Sequence, residues 1–326
     1  MQIAITGGGG FLASMLVRRL LNNGLAGQPV TRIVTIDLVP CPVVDPRVQS
    51  MVADVGDRET LTRAIAADTK AVVHLAAVVS GQAEADFDLG TRVNIDATRA
   101  LLEHVRALGT KPRFVFTSSV AAFGGKLPER VQDDTRALPQ SSYGVQKVIG
   151  ELLVGDYTRK GFIDGITLRV PTISVRPGAP NKAASSFASG IIREPLAGIQ
   201  AICPVSPEMR MWLQSPDRAI DNLLHALTLD GELLGNDRTV NLPGLSVSVG
   251  AMIDALRIAA GEEITKLIRY EHDPAVERIV ASWPNDFDAV RARALGFVAD
   301  EDYVSVVRAH MARVGDTPSA TQHTPA

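Results

Sequence analysis

Apolar positions along the first half of the chain follow two alternating periods. Short runs rich in β-branched residues at 2–6, 32–37, 48–53, 71–75, 113–117 and 165–170 predict strands. Between them, stretches with apolar residues three and four apart at 11–23, 57–67, 91–108 and 142–160 predict helices. That alternation predicts an α/β domain over residues 1–175, a doubly wound parallel sheet with right-handed crossovers and helices on both faces. Ligands of such sheets bind beyond the carboxyl ends of the strands.

From Arg176 the pattern loosens, because Pro177, Gly178, Pro180, Pro195, Pro204, Pro207 and Pro216 cut it into short pieces. Helical periodicity returns at 216–229, 248–260, 286–295 and 301–314, with Asn241-Leu-Pro-Gly-Leu245 as a break. A smaller substrate-binding lobe over 176–314, some of its segments returning to the sheet, is the expectation. The polar stretch 315–326, rich in Thr, Pro and Ala, is expected to be a disordered tail.

Composition adds bounds rather than identity. The chain has 326 residues, 46% of them hydrophobic, enough for a large domain and a smaller lobe. A net charge of −3 gives no basic footprint for nucleic acid. Cys41 and Cys203 lie far apart without metal-ligand spacing, so no metal is expected and a reducing, cytoplasmic setting is. No apolar run approaches the roughly 18 residues of a membrane helix, and the N-terminus reads as a strand rather than a leader.

The candidate chemistry begins where the first strand breaks. Thr6 is followed by four glycines, Gly7 to Gly10, and then by a helix; Gly7, Gly10 and Ala13 stand three apart. Such a turn lets backbone N–H groups approach a pyrophosphate at the positive end of a helix. The second strand ends in Asp37, placed to accept hydrogen bonds from an adenosine ribose; Leu38 follows, with no nearby Arg or Lys for a 2′-phosphate. NAD is therefore expected over NADP.

A second constellation lies further on. Tyr143 and Lys147, four apart behind the capping serines Ser141 and Ser142, share one helix face. A phenol is a poor base at neutral pH, and a neighbouring ammonium that favours the phenolate draws it toward working range. Ser119, at the carboxyl end of the strand 24 residues before Tyr143, can hold a substrate oxygen in reach of that phenol.

Together these pieces resemble the extended branch of the short-chain dehydrogenase/reductase superfamily, with its Rossmann-like fold. The resemblance rests on the Thr6–Ala13 turn, Asp37, Ala53-Asp54-Val55, His74-Leu-Ala-Ala77, Val93-Asn94, Thr117-Ser-Ser119 and Tyr143-x-x-x-Lys147. It implies Tyr143 as acid/base, Lys147 as its tuner and ribose ligand, and Ser119 as orienter of the substrate hydroxyl. It also implies a cofactor site of Gly7, Gly10, Phe11, Leu12, Asp37, Asp54, Val55, Leu75, Ala76, Ala77, Asn94, Tyr143, Lys147, Pro171 and Ile173. A homodimer through the helices at 91–108 and 142–160 is a further implication.

Departures narrow the branch. Dehydratases place acidic residues after the catalytic hydroxyl, whereas Ser119 precedes Val120-Ala-Ala-Phe123; nucleotide-sugar epimerases carry Arg-Asp-Tyr-Ile-His-Val where this chain has Arg210-Met-Trp-Leu-Gln-Ser-Pro216. The stretches 77–87, 168–182 and 187–196 resemble NAD-dependent dehydrogenases of four-carbon sugar acids, implying oxidation of the C2 hydroxyl of D-erythronate. Its carboxylate needs a cation, since guanidinium grips carboxylate with two parallel hydrogen bonds. Arg176 and Arg210 are the preferred pair among Arg176, Lys182, Arg193 and Arg210, with Ser80, Thr172 and Ser185 as hydroxyl readers. The alternatives are an epimerase that keeps NAD tightly bound and a regulator that senses NAD without turnover.

Overall fold

A computed structural model describes residues 1–178 and 182–315. Most of the expected tail therefore lies outside the described residues. Strands β1 (Gln2–Thr6), β2 (Arg32–Asp37), β3 (Val48–Val52), β4 (Thr69–His74), β5 (Arg113–Ser119) and β6 (Asp164–Val170) fall at the predicted runs. Among them lie helices α1 (Phe11–Asn23), α2 (Arg58–Ala64), α3 (Ser80–Ala85), α4 (Phe87–Thr91), α5 (Ala97–Leu108) and α6 (Ser142–Arg159). The helix expected over 91–108 is interrupted by a π turn at Arg92–Asp96, which re-aims Asn94.

The second half carries β7 (Thr172–Ile173), α7 (Phe187–Leu196), β8 (Ala201–Cys203), β9 (Arg210–Gln214), α8 (Pro216–Thr228), β10 (Thr239–Asn241) and β11 (Leu245–Ser248). It ends with α9 (Val249–Ala260), α10 (Glu262–Thr265), β12 (Ile268–Tyr270), α11 (Pro274–Ala281), α12 (Val290–Ala294) and α13 (Tyr303–Gly315). Of the predicted helix 286–295 only Val290–Ala294 forms. Helices α7 and α11 and the short strands were not legible, because prolines interrupt the periodicity and three-residue strands have too few positions to show one.

Seven strands form one parallel sheet in the order β10-β6-β5-β4-β1-β2-β3. The order reverses between β1 and β4, and the crevice at such a switch point is where open α/β sheets bind ligands. β1 is buried throughout, as its unbroken apolar run demands; edge strand β3 is not.

Apolar cores cover both faces. On one, Leu16, Val17 and Leu20 of α1 pack with Ile220 and Leu223 of α8; on the other lie Leu101 and Val105 of α5 and Val154 of α6. Helix α8 and strand β10 thus return to the sheet from the second half. A third core unites α7, β9, α9 and α13, with β7, β9 and β11 forming a small separate sheet. β7 follows β6 after Pro171 alone, so this sheet begins at the catalytic edge.

Candidate active site

The carboxyl ends of β1, β2, β4, β5 and β6 open into two adjoining cavities that share Gly7, Gly10, Leu75 and Ala77. One, about 360 Å³, is lined by Asp37, Asp54, Val55, Ala76 and Leu38. The other, about 350 Å³, is lined by Phe11, Leu12, Ser119, Tyr143, Lys147, Pro171 and Ile173. They form one groove over the glycine turn, with the predicted adenosine residues at one end and the predicted catalytic residues at the other.

The turn fits a diphosphate. Gly7 adopts φ +75°, and a Cβ there would lie 2.8 Å from the Ala76 backbone nitrogen, so only glycine lets β1 meet β4 this closely. Helices α6, α8 and α9 are capped by Ser141, Ser215 and Ser248, whereas α1 begins at Gly10 with no side-chain cap. Its first N–H groups are thereby left for an anion. Asp37 accepts from Gly9 N–H at 3.0 Å and Val39 N–H at 3.2 Å, which holds a negative charge where a 2′-phosphate would have to sit.

Behind the groove, buried His74 bridges Thr6 Oγ1 at 2.6 Å and Thr98 Oγ1 at 2.9 Å, tying β1, β4 and α5 together. Burial, helped by the Lys147 charge, pushes its pKa down to about 3, so the ring is neutral. Asn94 does not itself line the groove but supports the cofactor region from behind. Its amide clamps the Val78 backbone at 2.8 and 3.0 Å and donates to Gln146 of α6 at 2.7 Å, bracing the cofactor loop from behind.

Ser119, Tyr143 and Lys147 come together as predicted. Gly144 makes this possible, since a Cβ there would lie 2.1 Å from the Ala121 carbonyl; α6 therefore packs directly on the turn after Ser119. Lys147 donates to the Thr117 carbonyl at 2.8 Å, and its Nζ lies 5.5 Å from the Tyr143 ring centre. Burial pushes the ammonium down to about 8, with Glu151 one turn on pulling it back up.

The phenol differs from expectation. Burial pushes Tyr143 up to about 12, and the influences drawing it down are the Ser119 hydrogen bond and the charge of Arg176. Arg176, and not the expected Lys147, is the cation that draws it down. Burial and the neighbouring Arg193 in turn make the Arg176 charge costly, and Tyr143 favours it.

Of the other candidate substrate residues, Ser80, Thr172, Arg176 and Ser185 line the catalytic cavity. Arg210 does not. It lies three residues before Leu213, the β9 partner of Thr172, which at about 3.3 Å per residue removes it by about 10 Å. Its exposed guanidinium donates instead to Ser246 Oγ and carbonyl at 2.7–3.1 Å. Arg193 donates to the Arg176 carbonyl at 2.8 Å and pairs with Glu194, behind the cavity wall. Lys182 is exposed.

Two features escaped the sequence reading. Glu151 receives Arg169 through two bonds of 2.9 and 2.6 Å and the Ser118 hydroxyl, a buried pair fixing the strand end beside Ser119. Its signal was position, one turn beyond Lys147. Trp283 lines the cavity from the end of α11, 140 residues after Tyr143, with no local signal at all. Among the described residues no cluster of His, Cys, Asp or Glu is arranged to hold a metal, and no helix is long and apolar enough to cross a membrane.

Comparison with known proteins agrees with this geometry. Residues 3–213 match the NAD dependent epimerase/dehydratase family. A D-erythronate dehydrogenase from Cupriavidus necator is 57% identical over 97% of this chain and 99% of its own. Another from Haemophilus influenzae is 47% identical over 94% and 98%. A crystal structure described as a nucleoside-diphosphate-sugar epimerase from Agrobacterium tumefaciens superimposes with a TM-score of 0.92 at 42% identity, covering 97% of this chain and 95% of that one. By motif, fold and groove, the chain belongs to the NAD dependent epimerase/dehydratase family, an enzyme with NAD as its cofactor.

Proposed function

We propose that the protein oxidises the C2 hydroxyl of D-erythronate, or a closely related four-carbon sugar acid, to the 2-oxo acid. The observation that carries this reading is the placement of Arg176 in the same cavity of about 350 Å³ as Ser119 and Tyr143. In a 2-hydroxy acid the carboxylate is bonded to the reacting carbon, so a cation beside the phenol is the feature such a substrate requires. The two dehydrogenases above, similar over nearly the whole chain, support it.

Bound NAD supplies the hydride acceptor. As the phenolate, which the Ser119 hydrogen bond and the Arg176 charge favour, Tyr143 takes the proton of the C2 hydroxyl while Ser119 holds that oxygen. A carboxylate paired with Arg176 keeps C2 turned toward the nicotinamide end of the groove, and Pro171 and Ile173 wall off water there. Lys147, anchored on Thr117, holds a positive charge under the phenol and reaches the ribose side. Two copies pack through α5 and α6, the latter exposing Val145 and Leu152. The setting is cytoplasmic, where the free, buried thiols of Cys41 and Cys203 stay unpaired.

The test is a panel of D-erythronate, D-threonate, L-threonate and nucleotide sugars with added NAD, followed by NADH formation. Net NADH from a four-carbon acid is expected. Interconversion of a nucleotide sugar by protein purified with NAD attached would assign an epimerase instead. NAD binding without turnover of any acid would assign a sensor.

A further inference from the structure

Arg176 belongs to no helix or strand, yet it lines the catalytic cavity. Pro177 after it has no N–H to donate, and Gly178 follows at φ +80°. A long side chain on such a stretch keeps one direction only if its own backbone is held.

Helix α7 holds that backbone on both sides. The Arg176 N–H donates to Ser189 Oγ at 3.0 Å, and the Arg176 carbonyl accepts from Arg193 Nη1 at 2.8 Å. Ser189 and Arg193 stand four apart and so share one face of the helix. Two residues before Arg176, Ser174 Oγ donates to the Ala188 carbonyl at 2.8 Å and meets Tyr303 Oη at 2.6 Å, which laces the approach from β7 to the same helix. The clamp is itself fixed: Ala188, Ile191 and Ile192 are buried in the core of the second half, and the other Nη of Arg193 pairs with Glu194. Neither Ser189 nor Arg193 lines the cavity, so neither is placed to touch substrate.

We propose that Ser189 and Arg193 are positioning residues that clamp the Arg176 backbone from α7 and so aim its guanidinium at the substrate carboxylate. The inference rests on the sugar-acid reading above. Held in the free protein, Arg176 has less conformational freedom to lose when the acid binds. The Arg193 charge also disfavours that of Arg176, and a carboxylate bound at Arg176 offsets the repulsion.

The test measures D-erythronate kinetics and NAD affinity for Ser189→Ala, Arg193→Met and Arg193→Lys, each alone and combined with Arg176→Met. Arg193→Met is expected to raise KM about tenfold and Ser189→Ala about threefold, with a smaller change in kcat and NAD affinity within about twofold. Arg193→Lys, which still carries a donor for the carbonyl, should lie closer to the unaltered protein than Arg193→Met. With Arg176→Met in place none of the three should raise KM further, because the side chain they aim is gone. A rise of the same size in that background, an equal loss of NAD affinity, or an unchanged KM in both Ser189→Ala and Arg193→Met overturns the inference while the sugar-acid reading stands. If Arg193→Met does not fold, Ser189→Ala decides by the same criteria. Absence of turnover by the unaltered protein on D-erythronate and the threonates overturns the sugar-acid reading first, and this inference with it.

Discussion

The two ends of the groove are built by different means. The cofactor end uses backbone: the Gly7–Gly10 turn, the uncapped start of α1 and the ends of β1, β2 and β4. Its side chains, Asp37 and Asp54, bond to their own loops at 2.7–3.2 Å, so each ligand is set by residues a few positions away or on the neighbouring turn. The substrate end uses side chains from distant segments, Ser80, Ser119, Tyr143, Arg176 and Trp283, carried by or following α3, β5, α6, β7 and α11. Backbone sites constrain sequence to a readable motif. A site of converging side chains leaves each contributor free of local pattern, so specificity is written where periodicity is weakest.

The largest test of that contrast is Tyr143→Phe. Removing the proton acceptor should lower kcat by about 10²–10⁴-fold, whereas NAD affinity, set at the backbone end, stays within about threefold of the original; steady-state rates and an NAD titration separate the two. Loss of NAD binding in this variant would show that the ends are not independent.

The next effect sharpens the substrate end itself. A charged hydrogen bond contributes about 1.5–3 kcal/mol, so Arg176→Met should raise KM for the sugar acid by about 10- to 150-fold. Arg210→Met, which breaks only an exposed contact with Ser246, should leave KM within about twofold. A larger effect at Arg210 than at Arg176 would move the carboxylate to the other end of β9.

The smallest effect concerns pH. Lys147 is held near 8 rather than 10.5 because burial disfavours the ammonium. Its charge is therefore present below about pH 8 and lost above, so kcat/KM should fall by about tenfold per pH unit beyond that point. In Lys147→Arg, which cannot deprotonate in this range, whatever activity remains should lose that alkaline limb.

Much of this was legible in sequence. The six strands, α1, α6, the glycine turn, Asp37 and the triad of Ser119, Tyr143 and Lys147 follow from short-range rules, since strand burial, helix faces and phosphate turns are local requirements. Arg176 was legible as a cation following a strand. Tertiary structure decided the rest. Arg210 was assigned a partner role by motif position, and the three-residue offset along β9 removed it. How Asn94 supports the cofactor region, by clamping the Val78 backbone from within a π turn, was also set by the fold. The pKa of Tyr143 depends on desolvation, which no spacing records. Trp283 reached the cavity only because α11 docks against the 184–186 turn, a long-range contact between segments that share no periodicity. Local sequence determined where the glycine turn lies and where Ser119 and Tyr143 stand beside it, because those depend on backbone turns and helix spacing. Which side chains close around the substrate was decided by packing across nearly two hundred residues.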